Sequence, residues 1–247
     1  MGTDTIACLC VTYRRLALLK QAVRCFQHQT YAPRRLVVVH GADDPDTGAY
    51  LAGLDDTRVR AVQVASTKRI PLGELRNESI RHADAALVAQ WDDDDWHAPR
   101  RLELQAKALH KSPADACVLQ RWTMYDARTQ NVYISAARTW EASLLAWRER
   151  LPAYPPLRRS EDTAVIDQLI ARRALVPLDR PELYVYTFHG GNTWDARHWD
   201  RNIFAHATEL SGAEAEQVRA WLDVDAIHAA KAAPAGLGAR LRALLGR

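Results

Sequence analysis

Four consecutive aspartates at residues 92–95 lie between Trp91 and Trp96 and follow an apolar run at residues 85–89. The apolar run predicts a buried strand. Downstream, Pro99 favours the start of a helix, because proline lacks an N–H that the first helical turn leaves unpaired. The acids therefore stand where a buried strand ends and a helix begins. In an open α/β sheet, that edge is where ligands bind.

Four adjacent carboxylates create an electrostatic conflict, because like charges repel and raise each other's pKa. A hard cation removes the conflict, and carboxylate oxygens suit Mg²⁺ or Mn²⁺. If the strand continued through the acids, Asp92 and Asp94 would point together, with Asp93 and Asp95 on the other face. The alternative is a solvated acidic turn in which one aspartate caps the next helix.

Upstream of the acids, the apolar pattern alternates between the periods of strands and helices. Short apolar or alternating runs predict strands at residues 6–11, 36–39 and 59–64, and helical spacing predicts helices at 16–26 and 72–83. This order predicts an α/β fold with a mixed, mostly parallel sheet flanked by helices.

Downstream of the acids, the pattern is less regular. It predicts a helix at 99–111, a β-hairpin at 117–125 and 132–135, a helix at 140–150, a helix following residues 160–162 to about 174, and a strand at 182–188. From about residue 206 the chain is alanine-rich and has a helical pattern. We therefore expect one domain over residues 1–205 and a helical C-terminal extension over 206–247.

Composition narrows the class of protein. The 247 residues include 48% hydrophobic residues, enough for a sizeable core. The net charge of +3 is too small to indicate a nucleic-acid partner. No stretch approaches the roughly 20 apolar residues that span a bilayer, and the N-terminus lacks a signal-peptide pattern. We expect a cytoplasmic protein whose four cysteines are small core residues rather than metal ligands.

Polar residues also end other predicted strands or open helices. These segments are residues 12–15, 40–46, 160–162 and 189–194. Because the strand ends gather on one edge of such a sheet, a single cleft can collect these segments and the acids.

Each of these polar segments also has a purely structural interpretation. Glu161 and Asp162 would favour the dipole at a helix start, and His189 would suit an ordinary loop. A histidine is equally a ligand that Mn²⁺ accepts. Arg76 and Asn77 lie on the predicted helix before the acids. One interpretation is that they face solvent. The alternative is that the planar guanidinium of Arg76 reaches a phosphate.

Taken in order, these segments resemble the family-2 glycosyltransferases of the GT-A fold over roughly residues 5–200. Their order and spacing together are specific, although no single segment is. The resemblance rests on Val11-Thr12-Tyr13-Arg14-Arg15, Gly73 with Arg76-Asn77, Asp92-Asp93-Asp94-Asp95, Glu161-Asp162 at a helix start and His189 after a late strand.

The resemblance implies a role for each matching residue. In such enzymes the first loop holds the nucleotide base, and the Asp-x-Asp motif, here Asp92 and Asp94, holds the ribose and a divalent metal on the diphosphate. It implies a nucleotide-sugar site at Thr12, Tyr13, Arg15, Asp44, Arg76, Asn77, Asp92 and Asp93. It implies metal ligands among Asp94, Asp92, Asp95 and His189. It makes Asp162 the catalytic base, with Glu161 the neighbour most easily confused with it.

The chain also departs from the family pattern. After the second strand the family often has paired acids and a glycine, where an acid meets the uracil. Here the sequence is His40-Gly41-Ala42, with Asp43 and Asp44 shifted onward, which leaves the base and the role of Asp44 open. The common asparagine of the first loop is Arg14, and the extra Asp93 leaves the register of the metal ligands open by one residue.

We therefore predict a metal-dependent, inverting glycosyltransferase. It would move a sugar from a nucleoside-diphosphate donor, with UDP favoured, to a hydroxyl of a glycan, a lipid-linked or another acceptor. Bound Mn²⁺ or Mg²⁺ would stabilise the leaving diphosphate, and a carboxylate would take the acceptor proton. The alternatives are a two-metal phosphoryl-transfer enzyme or nuclease and a non-catalytic carbohydrate-binding relative.

The end of the chain has an amphipathic pattern. Leu237, Leu241, Leu244 and Leu245 share one side of a predicted last helix, with arginines elsewhere. Such a helix suits peripheral contact with the anionic inner face of a membrane, where lipid-linked acceptors would be. The alternative is a helix that packs on the domain or frays.

Overall fold

The computed structural model describes residues 4–232, and a seven-stranded sheet forms its centre. The strands of the described residues are β1 (Ile6–Val11), β2 (Arg34–Gly41), β3 (Val59–Val64), β4 (Leu87–Gln90), β5 (Trp96–His97), β6 (Ala116–Leu119), β7 (Thr123–Asp126), β8 (Asn131–Ile134), β9 (Trp140–Trp147), β10 (Leu175–Leu178), β11 (Tyr184–Phe188) and β12 (Thr208–Leu210).

The large sheet has the strand order β10-β6-β9-β4-β1-β2-β3. Strands β1 to β4 run parallel to one another, and β6 runs parallel to β10. Strand β9 lies antiparallel between β4 and β6. This is the mixed, mostly parallel sheet that the sequence predicts.

Helices cover both faces of this sheet. The α-helices of the described residues are α1 (Leu16–Gln27), α2 (Pro45–Ala52), α3 (Leu72–Arg81), α4 (Arg101–His110), α5 (Glu161–Ala171), α6 (Ala196–Asn202), α7 (Gly212–Trp221) and α8 (Val224–Ala232). Alternate residues of β1 serve the two faces. Cys8 and Cys10 pack in the cluster that contains α1 and α4, whereas Ala7 and Leu9 pack in the cluster that contains α3 and α5.

A second sheet lies next to the acids. Its strand order is β12-β8-β7-β11-β5. Strands β7 and β8 form the antiparallel hairpin predicted for 117–125 and 132–135, but residues 117–119 of the predicted first arm instead belong to β6 of the large sheet. The two-residue strand β5 directly follows the acids and pairs with β11. This pairing fixes the acid segment at both ends, since β4 of the large sheet precedes it.

The predicted helix at residues 140–150 is wrong. Residues Trp140–Trp147 form β9, and a 3₁₀ turn follows at Arg148–Arg150. Five consecutive residues of β9, Ala142 to Ala146, are buried, so the strand lacks the alternating pattern that would identify it. Its alanines and leucines favour helices as single residues, and pairing with both neighbours in the sheet overrides that preference.

The chain after residue 206 packs onto the rest of the fold. Strand β12 pairs with β8, and α7 and α8 bury Val218 and Ile227 against Leu18 of α1. The Arg24 guanidinium of α1 forms an ion pair with Asp223 at 2.7 Å. The boundary at residue 206 stays a prediction, and the amphipathic segment at 237–245 lies outside the described residues.

Among the described residues, no helix combines the length and the apolar character that crossing a bilayer requires.

Candidate active site

The acids form a turn at the carboxyl end of β4. Strand β4 ends at Gln90, so the alternation of side chains expected for a continued strand does not occur. Instead, Asp93 and Asp94 both contact the guanidinium of Arg15, at 2.8 and 2.7 Å. Arg15 comes from the loop between β1 and α1, so the first loop and the acids meet as predicted for neighbouring strand ends.

Asp95 is bound to the second sheet. Its carboxylate accepts hydrogen bonds from the Tyr184 hydroxyl and, at 2.8 Å, from the backbone N–H of Thr187. Burial and the charges of its neighbours Asp94 and Asp92 raise the pKa of Asp95 well above its usual range. Both oxygens of Asp95 therefore anchor the turn to β11.

The environments of Asp93 and Asp94 push their pKa values apart. Burial raises the pKa of Asp93 to about 6, although Arg15 opposes the change. Burial has the same tendency at Asp94, but Arg15 and His189 outweigh it and hold the pKa of Asp94 well below its usual range. Asp94 is therefore a carboxylate at neutral pH, the protonation state that a metal ion requires.

His189 follows β11 and lies against Asp94. Its Nε2 is 3.1 Å from Asp94 Oδ2, and the side chain is buried. The backbone N–H of Gly191 donates to His189 Nδ1 at 3.2 Å, so Nε2 carries the proton in this arrangement. Binding of a cation through Nε2 would move that proton to Nδ1 and open the contact with Gly191.

Arg76 of α3 connects the acids to the start of α5. Its guanidinium lies 3.1 Å from Asp92 and 2.9 Å from Glu161. Glu161 is only 2% exposed, and burial raises the pKa of its carboxyl although Arg76 opposes the change. Both partners of this ion pair are buried, so Glu161 serves to position Arg76.

Asp162 has a different environment from Glu161. Its Oδ1 accepts from the N–H of Thr163 at 2.8 Å, and the side chain is partly exposed to the cavity. The preceding Ser160 has φ of 58°, in the left-handed region that is strained for residues other than glycine. Such strain is concentrated at functional sites. Ser160 is the residue just before α5, so its conformation sets the direction of the first helical turn, in which Asp162 lines the cavity.

The acids, Arg15, Arg76, Glu161 and Asp162 line one cavity of about 300 Å³. Six of the candidate residues from the sequence are therefore joined by direct ion pairs within it, and Asp162 lies beside them. The cavity lining does not include Thr12, Tyr13, Asp44, Asn77 or His189.

Asp44 and Asn77 hold backbone in place. The carboxylate of Asp44 accepts from the backbone N–H of Arg14 at 2.6 Å and from that of Thr47 at 3.4 Å, which caps α2. The amide of Asn77 pairs with both backbone groups of Tyr154, at 2.8 and 2.9 Å. Asp44 thus fixes the first loop, and Asn77 fixes the segment that leads to α5.

The first loop has an unusual backbone at Arg14, where φ is 51°. Asparagine tolerates this left-handed conformation better than most residues do, which gives a physical reason for the asparagine common in related loops. Thr12 is buried, and Tyr13 lies beneath the Arg14 guanidinium with 5.4 Å from the guanidinium carbon to the ring centroid.

Aromatic side chains form the part of the cavity that the sequence analysis missed. We call this surface the aromatic wall, and it consists of Trp122, Trp140, Tyr186, Trp194 and Trp199. Trp122 stacks on Trp140 with ring centroids 4.2 Å apart, and Tyr186 stacks on Trp199 at 4.3 Å. The high tryptophan content was a signal for such a surface, but no local pattern places these residues together.

Glu141 of β9 is a second functional candidate that sequence reasoning missed. It lines the cavity, accepts from Arg138 at 2.7 Å and lies 3.4 Å from the Thr163 hydroxyl. Burial raises the pKa of its carboxyl, and the nearby Asp162 adds to the effect. The incorrect helix at 140–150 concealed this residue, because only the strand brings it to Asp162.

The fold and this cavity at the end of the central strand define a GT-A type of α/β protein. The family model for glycosyl transferase family 2 matches residues 8–167, and the chain belongs to this family. No curated protein sequence matches the chain.

Solved structures of similar fold include TarS 1-349 from S. aureus in complex with UDP. It has a TM-score of 0.60 and 13% identity, and the match covers 76% of this chain and 61% of TarS 1-349. The mannosyltransferase PcManGT from Pyrobaculum calidifontis, in complex with GDP-Man and Mn²⁺, has a TM-score of 0.58 and 17% identity, over 76% of this chain and 57% of that one. The chain therefore spans about three fifths of the length of these proteins.

Proposed function

We propose that the chain is a metal-dependent, inverting glycosyltransferase that uses a nucleoside-diphosphate sugar. The observation that carries the proposal is the row of ion pairs along one cavity, from Arg15 through the acids and Arg76 to Glu161, with Asp162 beside it. We assign the two parts that this transfer requires to Asp94 with His189, as ligands for a cation, and to the partly exposed carboxylate of Asp162.

Asp94 and His189 are the residues that fit a divalent cation. Their donor atoms lie 3.1 Å apart, and Asp94 is ionised. No group of three or more histidine, cysteine or acidic side chains in residues 4–232 is arranged to hold a metal. Two protein ligands suit Mg²⁺ or Mn²⁺ when phosphate oxygens complete the coordination. When bound, the cation would stabilise negative charge on the leaving diphosphate.

Arg15 supplies a positive charge beside the acids and faces the same cavity. We propose that it binds the donor diphosphate, together with the first loop at Thr12 and Tyr13. TarS 1-349 has been solved with UDP and with UDP-GlcNAc, and PcManGT with GDP-Man and Mn²⁺. These neighbours support a nucleotide-sugar donor, and of their two nucleotides we favour UDP, which TarS 1-349 binds.

Asp162 is the proposed general base. Inversion requires the acceptor hydroxyl to attack from the side opposite the leaving diphosphate, so the base must be separate from the cation site. Asp162 is separated from the acids in the series of contacts, because Arg76 pairs with Asp92 and with Glu161, the residue next to Asp162. The acceptor oxygen would attack the sugar carbon, its proton would pass to Asp162, and the bond from the sugar carbon to the diphosphate would break.

A thermal-shift screen tests the proposed donor. Each nucleoside diphosphate and its sugars, based on UDP, GDP and dTDP, is added with and without Mn²⁺, because binding to the native state alone raises the melting temperature. We expect a UDP-type ligand to stabilise the protein only with the cation. Release of sugar from the donor, measured in parallel, should stop in EDTA. Stabilisation or turnover that EDTA leaves unchanged would contradict the metal dependence.

A further inference from the structure

A fully buried arginine contacts the segment that carries the acids. Arg101, the first residue of α4, is 0% exposed. Its side chain donates to three uncharged groups, and within residues 4–232 no carboxylate pairs with it. Burying a charge is costly, and arginine is almost never fully buried unless it is paired. Such a departure from the usual rule is expected at functional sites.

The guanidinium of Arg101 joins the two ends of the acid segment. One nitrogen donates to the backbone carbonyl of Gln90, the last residue of β4, at 3.0 Å. Another lies 2.7 Å from Nδ1 of His97, the last residue of β5, and Nδ1 is the acceptor because arginine can only donate. We call residues 91–96, which lie between these two contacts, the acid turn. Arg101 therefore links the residues that precede and follow the acid turn.

The guanidinium is itself fixed by the surrounding core. Its Nε donates to Gln105 Oε1 at 3.0 Å, and the Gln105 amide donates to the backbone carbonyl of Ser143 in β9 at 2.7 Å. The guanidinium carbon lies 5.2 Å from the ring centroid of Trp91 and 5.0 Å from that of Tyr184, within the range of cation–π contacts. Because its donors form a rigid plane, the guanidinium cannot move without breaking several of these contacts together.

The two ends of the acid turn also contact each other. Trp91, which packs against the guanidinium, directly precedes the acids, and its indole N–H donates to Ala22 O of α1 at 3.1 Å. His97 packs on Trp91 with ring centroids 3.8 Å apart. Asp94, the proposed cation ligand, therefore lies in a short segment that Arg101 holds at each end. Residues that orient metal ligands in this way affect metal binding without touching the metal.

We infer that Arg101 is a positioning residue, whose guanidinium fixes the acid turn and, through the turn, the position of Asp94. Arg101 does not line the cavity, so it acts through Gln90 and His97. The effect on the cation rests on the proposed function, whereas the effect on the turn does not. The two effects can therefore be measured separately.

Hydrogen exchange of backbone amides, without any ligand, tests the effect on the turn. The parent chain is compared with Arg101→Met, which keeps a long side chain and removes the donors. The matched control is Arg34→Met, because Arg34 is also buried and its guanidinium donates to three backbone carbonyls outside residues 90–97. We expect exchange that is about tenfold or more faster in Arg101→Met, confined to residues 90–97, because two hydrogen bonds to this segment are lost. Arg34→Met should exchange there as the parent does.

A second variant, Arg101→Lys, keeps the charge but has a single ammonium in place of the planar fork. It should exchange at residues 90–97 as Arg101→Met does. Melting temperatures show which variants fold. If neither Arg101 variant folds, Gln105→Leu replaces them, because it frees the guanidinium from β9 without touching residues 90–97.

Three results of the exchange experiment would overturn the inference. The first is parent-like exchange of residues 90–97 in Arg101→Met, or in Gln105→Leu where that variant replaces it. The second is exchange that is faster by the same factor over the whole chain. The third is parent-like exchange in Arg101→Lys, since the charge and not the fork would then hold the turn.

Affinity for UDP, measured over a range of Mn²⁺ concentrations and in EDTA, tests the effect on the cation. In Arg101→Met, the Mn²⁺ concentration that gives half of the gain in UDP affinity should rise about 10- to 100-fold, the usual effect of losing a residue that orients metal ligands. Arg34→Met should keep the parent value even if it melts at a lower temperature, because lower stability by itself does not change this concentration. A parent value in Arg101→Met would overturn the inference. If the parent shows no response to Mn²⁺, the proposed function fails, and hydrogen exchange still decides whether Arg101 fixes the turn.

Discussion

At the scale of single residues, two adjacent carboxylates at the start of α5 have different environments. Glu161 is buried and ion-paired to Arg76. Asp162 is partly exposed, and within residues 4–232 its carboxylate accepts only from the neighbouring Thr163 N–H. A base must be free to receive a proton from substrate, which favours Asp162. A buried ion pair instead positions the residues around it.

Asp162→Asn should reduce sugar transfer by about 10²- to 10⁴-fold, the usual effect of losing a general base. Nucleotide affinity and melting temperature should stay near those of the parent, because Asp162 forms no ion pair with any residue of 4–232 and hydrogen-bonds only to the adjacent Thr163 N–H there. Initial rates of transfer, with calorimetric titration of the nucleotide, check both expectations.

The comparison variant is Glu161→Ala. It breaks a buried ion pair and should lower the free energy of unfolding by about 3–5 kcal/mol. A second variant, Glu161→Gln, removes the charge of Glu161 and keeps its size. If Asp162→Asn transfers sugar at the parent rate while Glu161→Gln does not, the base is Glu161. If both carboxamide variants remain fully active, the base lies elsewhere.

Asp94→Asn should remove the response to Mn²⁺. Removal of a ligand weakens a metal site by at least about 10- to 100-fold, so the variant should bind nucleotide equally with Mn²⁺ and with EDTA. The control is Asp95→Asn, because the Asp95 oxygens are occupied by Tyr184 and Thr187. We expect this variant to lose stability yet keep its Mn²⁺ response. A normal Mn²⁺ response in Asp94→Asn would exclude Asp94 as a ligand.

At the scale of elements, the contact between α3 and the loop before α5 sets the position of the base. Gly73 donates its N–H to Leu157 O at 3.0 Å, and a Cβ at this position would lie 1.8 Å from the carbonyl oxygen of Pro155. Only glycine permits this approach, and Asn77 on the same helix holds Tyr154. Helix α3 therefore determines where Asp162 lies relative to the acids.

Gly73→Ala should lower the free energy of unfolding by about 1–3 kcal/mol, as overpacking does, and should reduce transfer by moving Asp162. Gly53→Ala is the matched control, because a Cβ there would lie 3.5 Å from its nearest neighbour, an ordinary contact. Urea unfolding and transfer rates compare the two. Equal stability of the two variants would show that the loop adjusts without cost.

At the scale of the whole molecule, the C-terminal elements complete the core. Helix α8 buries Ile227 completely, and α7 buries Val218, in a cluster with Leu18 and Tyr125. The backbone N–H of Asp223 also donates to Gln21 of α1 at 2.6 Å. These contacts indicate that residues 208–232 contribute to the stability of the sheet that carries the site.

A chain ending at residue 205 should therefore melt at least about 6 °C below one ending at residue 232. Exposing the cluster costs about 3 kcal/mol or more, and each kcal/mol corresponds to about 2–4 °C for a chain of this size. Calorimetry measures the difference. Equal melting temperatures would mean that residues 1–205 fold independently of the extension.

The sequence by itself determined the α/β class, the strands β1 to β3, and the place of the acids after a buried strand. These features depend on the spacing of apolar residues within about a dozen consecutive positions. The motifs that carry the family resemblance are also short stretches of consecutive residues. The same local reasoning failed at β9, because burial on both sides removes the alternation that marks a strand.

Only the tertiary structure decided how the site is joined. Arg76 meets Glu161 across 85 residues of chain, and Arg15 meets Asp94 across 79. Tyr184 binds Asp95, whereas the other three acids pair with arginines. The aromatic wall likewise draws on β9, β11 and α6. Such contacts follow from the order of the strands and from how the helices pack on the sheet. The periodicity of apolar residues shows which face of an element is buried. It does not show which other element covers that face.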